Sequence, residues 1–346
     1  MIALPPIRPG FPFSHELQAA LEIVVPGCRL LERIAHDRDH FWRTHKEGGS
    51  LLTIADVTGQ AFMGQGLLRR FSEDAFIAEE GASGSLLTEP VIHNILGYIR
   101  GFDLKARIED VYGWIVRGKG ELTDRTWVAD PLDFTSSYVH GGEYAVNLAF
   151  LYQGKPVITV NGFPRSHLFR NKEHRPGYLM IAAAGEGCWY RQLEGRPYYV
   201  QLQVSRRAGR FAIPILPPQT SLRKYSMEDL ALVQGMSRVF GASQEPRIAG
   251  GPMRYPLIAS GQADVSFVPP LSYYESKEWI WDHLGVLGVL EAGGGGTDCL
   301  GHDFDWSTAP LLSNNHGILL SNGRLHKRAV EVYHDFYERI YRRRPT

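Results

Sequence analysis

Asp130 and Asp133 flank Pro131-Leu132 in the run Trp127-Val128-Ala129-Asp130-Pro131-Leu132-Asp133-Phe134-Thr135, and a hydroxyl follows two residues after the second acid. Two carboxylates and a hydroxyl at this spacing, held by a proline, form a rigid set of oxygen ligands. Ser136-Ser137 behind them can open a helix. A helix N-terminus attracts phosphate through its free N–H groups and its dipole. Carboxylates beside bound phosphate need a cation between them, and Mg²⁺ meets that need with one or two carboxylates, phosphate oxygens and water. The same residues also fit a polar turn in which an aspartate caps a helix.

Further acids sit at the ends of apolar runs. Glu79-Glu80 follows Ala75-Phe76-Ile77-Ala78, which reads as a short buried strand. Like charges there repel unless a cation or an arginine lies between them; an exposed acidic turn is the plainer alternative. Thr53 and Asp56 close the run Ser50-Leu51-Leu52-Thr53-Ile54-Ala55-Asp56. Asp282 follows Trp281, where a helix cap is the simpler role, and Glu291 precedes Gly293-Gly294.

The elements that must hold these groups suggest two halves. The 346 residues exceed what one core usually serves. Ser14 to Ile34 has helical apolar spacing interrupted by Pro26, and a second helix is expected over about Val57 to Phe71, with another over Pro90 to Ile99. Tyr112 to Ile115 and Trp127-Val128 read as strands, Gly141 to Val160 as a hairpin, and Leu179 to Tyr190 and Tyr198 to Val204 as two more strands. Strands following strands indicate an α+β half over residues 1–205. Beyond a proline-rich link, helices at Ser226 to Phe240 and Leu325 to Tyr341 alternate with short apolar runs, a smaller α/β half over 206–346.

Lys+Arg and Asp+Glu both number 37, so charge provides no argument for a nucleic-acid or membrane surface. Cys28, Cys188 and Cys299 are odd in number and widely spaced, which argues against a disulfide framework and suits a reducing cytoplasm. No run approaches transmembrane length, and Met1 to Phe13 lacks a signal pattern. His36 and His40 fit a solvated helix face better than a metal pair. Gly293 to Gly296 lacks the lysine of a P-loop.

Taken in order, Thr53-Ile54-Ala55-Asp56, Ala78-Glu79-Glu80, Asp130-Pro131-Leu132-Asp133-Phe134-Thr135, Trp281-Asp282 and Glu291-Ala292-Gly293-Gly294 resemble the motifs of the inositol-monophosphatase-like metal-dependent phosphatases. Ser50 to Asp56, Arg254 to Val265 and Glu278 to His283 are similar to the 3′(2′),5′-bisphosphate nucleotidase branch, which removes one phosphate from 3′-phosphoadenosine 5′-phosphate and related nucleotides. The resemblance implies a layered α-β-α-β-α sandwich, the sugar-phosphatase fold. It implies that Glu79, Asp130, Asp133, Asp282 and the carbonyl of Leu132 hold two or three Mg²⁺ ions. Thr135, paired with Asp56 or Glu79, then orients the attacking water, with Glu80 and Thr53 behind them. It places Phe134, Thr135 and Ser136 around the phosphate, and Gly251 and Arg254 near a second phosphate, where arginine suits bidentate contact.

The departures lie on the substrate side. Phe134 stands for the family's glycine, Leu51 for the branch's proline, Trp279 for a lysine, and Gly250-Gly251-Pro252 for a polar run. Asp282 and Glu291 are nine positions apart where ten is usual. The expected activity is therefore Mg²⁺-dependent hydrolysis of a small phosphorylated nucleotide or nucleoside. An inositol, sugar or cyclitol phosphate is one alternative and a silent binding homologue another. A cytoplasmic monomer or homodimer with no nucleic-acid polymer or membrane partner completes the expectation.

Overall fold

A computed structural model describes residues 2–37, 42–46, 49–169, 176–195, 198–218, 227–240, 243–270 and 278–341. Its chain divides into two compact units, Met1–Ala184 with Trp189–Val200, and Gly185–Cys188 with Gln201–Thr346. Among the described residues, no helix is long and apolar enough to cross a membrane. His40, proposed beside His36, lies outside the described residues.

In the first unit, α1 (Ser14–His36) continues through Pro26. A short antiparallel hairpin of β1 (Arg43–His45) and β2 (Leu51–Thr53) leads into α2 (Ile54–Leu68). That helix starts three residues before the expected Val57, because Thr53 and Asp56 form a capping box that satisfies its first N–H groups. Nearly every side chain of α2 is buried, as expected of a helix apolar on all faces. β3 (Ala75–Ala78) follows, then a 3₁₀ segment (Glu79–Leu86) and α3 (Glu89–Ile99). Tyr112 to Ile115, read above as a strand, is part of α4 (Ile108–Val116). Val111, Trp114 and Ile115 are its buried residues, an i, i+3, i+4 set that fits one helix face. Asp110 accepts from the backbone N–H of Arg107 to start it.

β4 (Arg125–Asp133) runs through the acidic motif itself, and α5 (Thr135–Val139) leaves it at once. β5 (Ala145–Tyr152) and β6 (Lys155–Phe163) form the expected hairpin. Gln153 and Gly154 both have positive φ, the geometry of a two-residue turn that matches strand twist. Leu179 to Tyr190, expected as one strand, is two: β7 (Tyr178–Ala183) and β8 (Gly187–Gln192), broken where Gly185 has φ +74. β9 (Tyr199–Leu202) closes a seven-stranded sheet ordered β3-β4-β5-β6-β7-β8-β9. The β3–β4 pair is parallel, whereas β4 to β7 pair antiparallel. Trp127, fully buried, lies between Phe71 and Phe150 at ring distances of 5.1 and 5.0 Å. Its indole N–H donates to Asp74, which also pairs with Arg125, so the base of β4 is pinned by core packing and a satisfied buried acid.

The second unit has a mixed sheet ordered β11-β10-β12-β14-β13, made of β10 (Pro214–Leu216), β11 (Arg247–Ile248), β12 (Val265–Val268), β13 (Gly295–Thr297) and β14 (Ile318–Ser321). α6 (Met227–Phe240) and α9 (His326–Tyr341) pack on it around Leu232, Met236, Phe267, Leu319 and Tyr333. Two short helices, α7 (Arg254–Ala259) and α8 (Val286–Glu291), complete this α/β unit.

Candidate active site

The acidic motif is a strand end broken by a bulge. Asp130 pairs with Asn147 and Asp133 with Ala145, so β4 carries one residue more than β5 between these pairs. Pro131 lies in that bulge, where a residue without an N–H costs no ladder hydrogen bond. The bulge turns both carboxylates to one place: a ligand oxygen of Asp130 lies within 4.8 Å of one of Asp133. It also takes the Leu132 carbonyl out of the ladder, to accept from Thr135 Oγ1 at 3.0 Å. α2 lies directly against this bulge, and a Cβ on Gly59 would meet the Pro131 side chain at 3.0 Å.

Two further groups steady the motif. Leu132 N–H donates to Asp130 at 3.0 Å. Asn147 donates to Asp133 at 3.1 Å and accepts from Asn161 at 2.8 Å, which in turn accepts from Thr159 at 2.9 Å. This buried amide chain crosses β5 and β6. The sequence reading missed it; the only available signal was asparagine at inward positions of two otherwise apolar strands.

The capping box of α2 faces the same place. Asp56 accepts from the Thr53 N–H and hydroxyl with one oxygen and from Thr135 Oγ1 at 2.9 Å with the other. Burial pushes its carboxyl well above the usual aspartate range, and Glu79 adds to this, while the Thr53 bond and Lys46 oppose it. Burial likewise raises Glu80, with Glu79 reinforcing it and Lys46 opposing; the Ser83 hydroxyl bonds to its other oxygen. Lys46 Nζ stands 2.7 Å from Glu79 and 2.6 Å from Glu80. Burial works against its charge, but the two glutamates outweigh that and hold the ammonium above its ordinary value. The Glu-Glu pair thus has the cation that its charge demands, and it comes from the β1–β2 hairpin, which the sequence reading left out of the site.

Phe134 has φ +73 and ψ +43, a left-handed conformation that costs a residue with a Cβ about 1–2 kcal/mol. Glycine, without a Cβ, would adopt this conformation without that cost. Phe134→Gly should raise stability by about 1 kcal/mol; urea unfolding in the absence of metal measures it. Ser136 is exposed at the start of α5.

The remaining sequence-derived residues belong to the second unit. Asp282 lies in the 3₁₀ turn Ile280–His283. Its carbonyl accepts from the Tyr255 hydroxyl at 3.2 Å; that hydroxyl is 2.7 Å from His283 Nδ1, and Glu278 is 2.9 Å from Nε2. Burial works to raise Glu278, but the His283 bond, the charge of His283 and that of Arg254 together outweigh it and hold the carboxyl below its ordinary value. Arg254 donates through Nε to the Gly251 carbonyl at 2.8 Å, while its Nη1 is buried with no hydrogen-bond partner among the described residues. Glu291 accepts from the N–H groups of Gly185 and Gly187, a role in loop structure.

In the first unit the Asp56 carboxylate and the Leu132 carbonyl meet at the Thr135 hydroxyl, beside the paired carboxylates of Asp130 and Asp133, and Glu79 and Glu80 lie near enough for the charge of Glu79 to act on Asp56. Lys46 is the one cation the described contacts place among them. Such a hard, over-negative set fits Mg²⁺.

The profile of the inositol monophosphatase family matches residues 13–336. The chain is 26% identical over 349 residues to the 3′(2′),5′-bisphosphate nucleotidase of Schizosaccharomyces pombe, covering 92% of this chain and 95% of that protein. It is 27% identical over 340 residues to 3′,5′-bisphosphate nucleotidase 2 of Arabidopsis thaliana, covering 90% and 94%. The structure resembles the inositol monophosphatase of Thermotoga maritima with a TM-score of 0.64 at 18% identity, over 94% of this chain and 99% of that one.

Proposed function

The chain belongs to the inositol monophosphatase family and is a phosphatase, and on that premise we propose that it removes one phosphate from a small phosphorylated nucleotide or nucleoside with the help of Mg²⁺. The observation that carries this reading is the bulge in β4, which gathers Asp130, Asp133, the Leu132 carbonyl and Thr135 beside Asp56. Asp130, Asp133, Glu79 and the Leu132 carbonyl would hold the metal, and the resemblance assigns Asp282 to the same role. Bound there, Mg²⁺ supplies Lewis-acid polarisation of the phosphate and a more acidic water.

The chain's own residues supply orientation. Thr135 gives its hydroxyl proton to Asp56 or to the Leu132 carbonyl, so its oxygen is left as an acceptor for the attacking water. The raised carboxyl of Asp56 lies one hydrogen bond behind that oxygen. The first N–H groups of α5 have no intrahelical partner and serve the phosphate oxygens. The cap of α2 and the amide chain of β5 and β6 hold these groups before substrate arrives, which is the condition for electrostatic preorganisation.

The nucleotide preference rests on Arg254. Its Nη1, without a hydrogen-bond partner among the described residues, suits a second phosphate, since a buried donor without an acceptor is costly. Arg254→Met should raise KM for 3′-phosphoadenosine 5′-phosphate by about tenfold or more and leave KM for AMP nearly unchanged. Steady-state kinetics on both substrates measures this.

A second reading keeps the chemistry and takes an inositol, sugar or cyclitol phosphate. Gly250-Gly251-Pro252 favours it, because this run brings no side-chain donor or acceptor for a base or ribose. A phosphate-release panel with Mg²⁺ decides between the two. Turnover of bisphosphorylated nucleotides well above that of inositol and sugar phosphates supports the first, and the reverse order removes it.

A further inference from the structure

Trp279 stands three residues before Asp282, where the resemblance would put a lysine. Its side chain is 39% exposed, and its indole lies against that of Trp281 with ring centroids 4.7 Å apart and planes 10° from parallel. Trp281 is buried and adjoins Asp282. Apolar surface left in water is unfavourable, and a second indole covers only one face of the first. We propose that Trp279 is a specificity-determining residue, on whose ring the base of a nucleotide substrate stacks. The proposal rests on the nucleotide reading and supplies what that reading lacks, a contact for the base.

The backbone under this ring is fixed before any ligand arrives. Trp279 forms an antiparallel bridge with Leu311. On one side of it Leu312 N–H donates to the Glu278 carbonyl at 2.9 Å, and on the other Ile280 N–H donates to the Pro310 carbonyl at 3.0 Å. Ile280 is fully buried. A tryptophan side chain has only two torsions to order, so a large flat contact area comes at a small entropy cost. The other groups assigned to the substrate surround the same turn. The Tyr255 hydroxyl bonds to the Asp282 carbonyl, which brings Arg254, one residue earlier, to the turn Ile280–His283. The charge of Arg254 acts on Glu278, the residue before Trp279. Arg254 thus offers a donor to a phosphate, Asp282 a carboxylate to the metal, and Trp279 a flat apolar face. A nucleotide with two phosphates has a complement for each, whereas the puckered ring of an inositol phosphate has none for the third. Gly250-Gly251-Pro252 brings no side-chain donor or acceptor to a base edge, so recognition falls to the face of the base. Stacking on an aromatic side chain contributes roughly tenfold or more in affinity and is tolerant of base identity.

The test compares the wild-type protein with Trp279→Leu and Trp279→Phe in steady-state phosphate release with Mg²⁺. The substrates are 3′-phosphoadenosine 5′-phosphate and its abasic counterpart, 1,4-anhydroribitol 3,5-bisphosphate. Leucine keeps an apolar cover over Trp281 but has no flat face; phenylalanine keeps a ring and covers the case in which leucine does not fold. Trp279→Leu should raise KM for the nucleotide about tenfold or more and move KM for the abasic compound little, and Trp279→Phe should lie between leucine and wild type. The guanine counterpart should have a KM within a few fold of the adenine one in the wild-type protein. Equal changes in KM on the nucleotide and the abasic compound, or no change on either, overturn the proposal while leaving the nucleotide reading intact, and make Trp279 a packing residue. A hundredfold preference for one purine over the other also overturns it, by putting recognition on the base edges. If the wild-type protein releases phosphate from inositol phosphates but not from the nucleotides, the nucleotide reading fails and the proposal fails with it.

Discussion

Asp130→Asn is expected to abolish nearly all Mg²⁺-dependent phosphate release, with kcat lowered about a thousandfold, while the metal-free protein becomes no less stable. Asparagine has the shape of aspartate and keeps an oxygen to accept the Leu132 N–H that now bonds at 3.0 Å. The bulge should therefore survive, and what disappears is one negative charge. Asp130 is 1% exposed and shares its place with Asp133. In the empty site, removing one of two close carboxylates relieves repulsion; in the loaded site it removes a ligand. Activity and stability should thus move in opposite directions. Phosphate-release kinetics together with thermal unfolding in EDTA and in Mg²⁺ check both halves. A variant that loses Tm in EDTA along with activity would assign Asp130 to the fold alone.

Thr135→Val should lower kcat by about two orders of magnitude and change KM by much less. Valine matches threonine in shape but removes the hydroxyl that reaches both Asp56, at 2.9 Å, and the Leu132 carbonyl, at 3.0 Å. The acceptor for the water's proton is lost with the hydroxyl. The one hydroxyl proton that two buried oxygens share is also lost, so stability should fall by about 1–3 kcal/mol. Thr135→Ser retains the hydroxyl and should recover most of the rate. Steady-state kinetics of the three proteins, paired with urea unfolding, separates the two effects. Serine that restores stability without rate would count against a part for this hydroxyl in the reaction.

How far these residues could be read from the chain alone differs from one to the next. The Asp130 to Thr135 run, the Thr53–Asp56 cap and the Glu79–Glu80 pair were each legible, because each depends on residues a few positions apart whose chemistry is local. Tyr112 to Ile115 shows the limit of that locality: a short apolar run fits strand or helix, and its helical state depends on Asp110 starting the turn and on Val111, Trp114 and Ile115 burying one face. Leu179 to Tyr190 was read as continuous because the turn at Gly185 lies inside an apolar stretch.

Lys46 and the Asn147–Asn161 chain were invisible for a different reason. Nothing near Lys46 in sequence marks it as the partner of Glu79 and Glu80, which lie more than thirty residues away. Nothing marks Asn147 as the support of Asp133 until β5 is set in register against β4. Such pairings are set when strands align and helices pack, through distances that no spacing rule contains. The Asp-Pro-Leu-Asp run began as either a capped turn or a ligand set. The identity of its acids and the proline between them was written in the chain and suffices for the family's chemistry. That the run is a strand end rather than a turn, that its proline sits in a bulge and that Phe134 pays a left-handed conformation were decided only by pairing with β5 and packing under α2. Short-range chemistry follows covalent order, whereas charge compensation, register and strain depend on which distant surfaces meet.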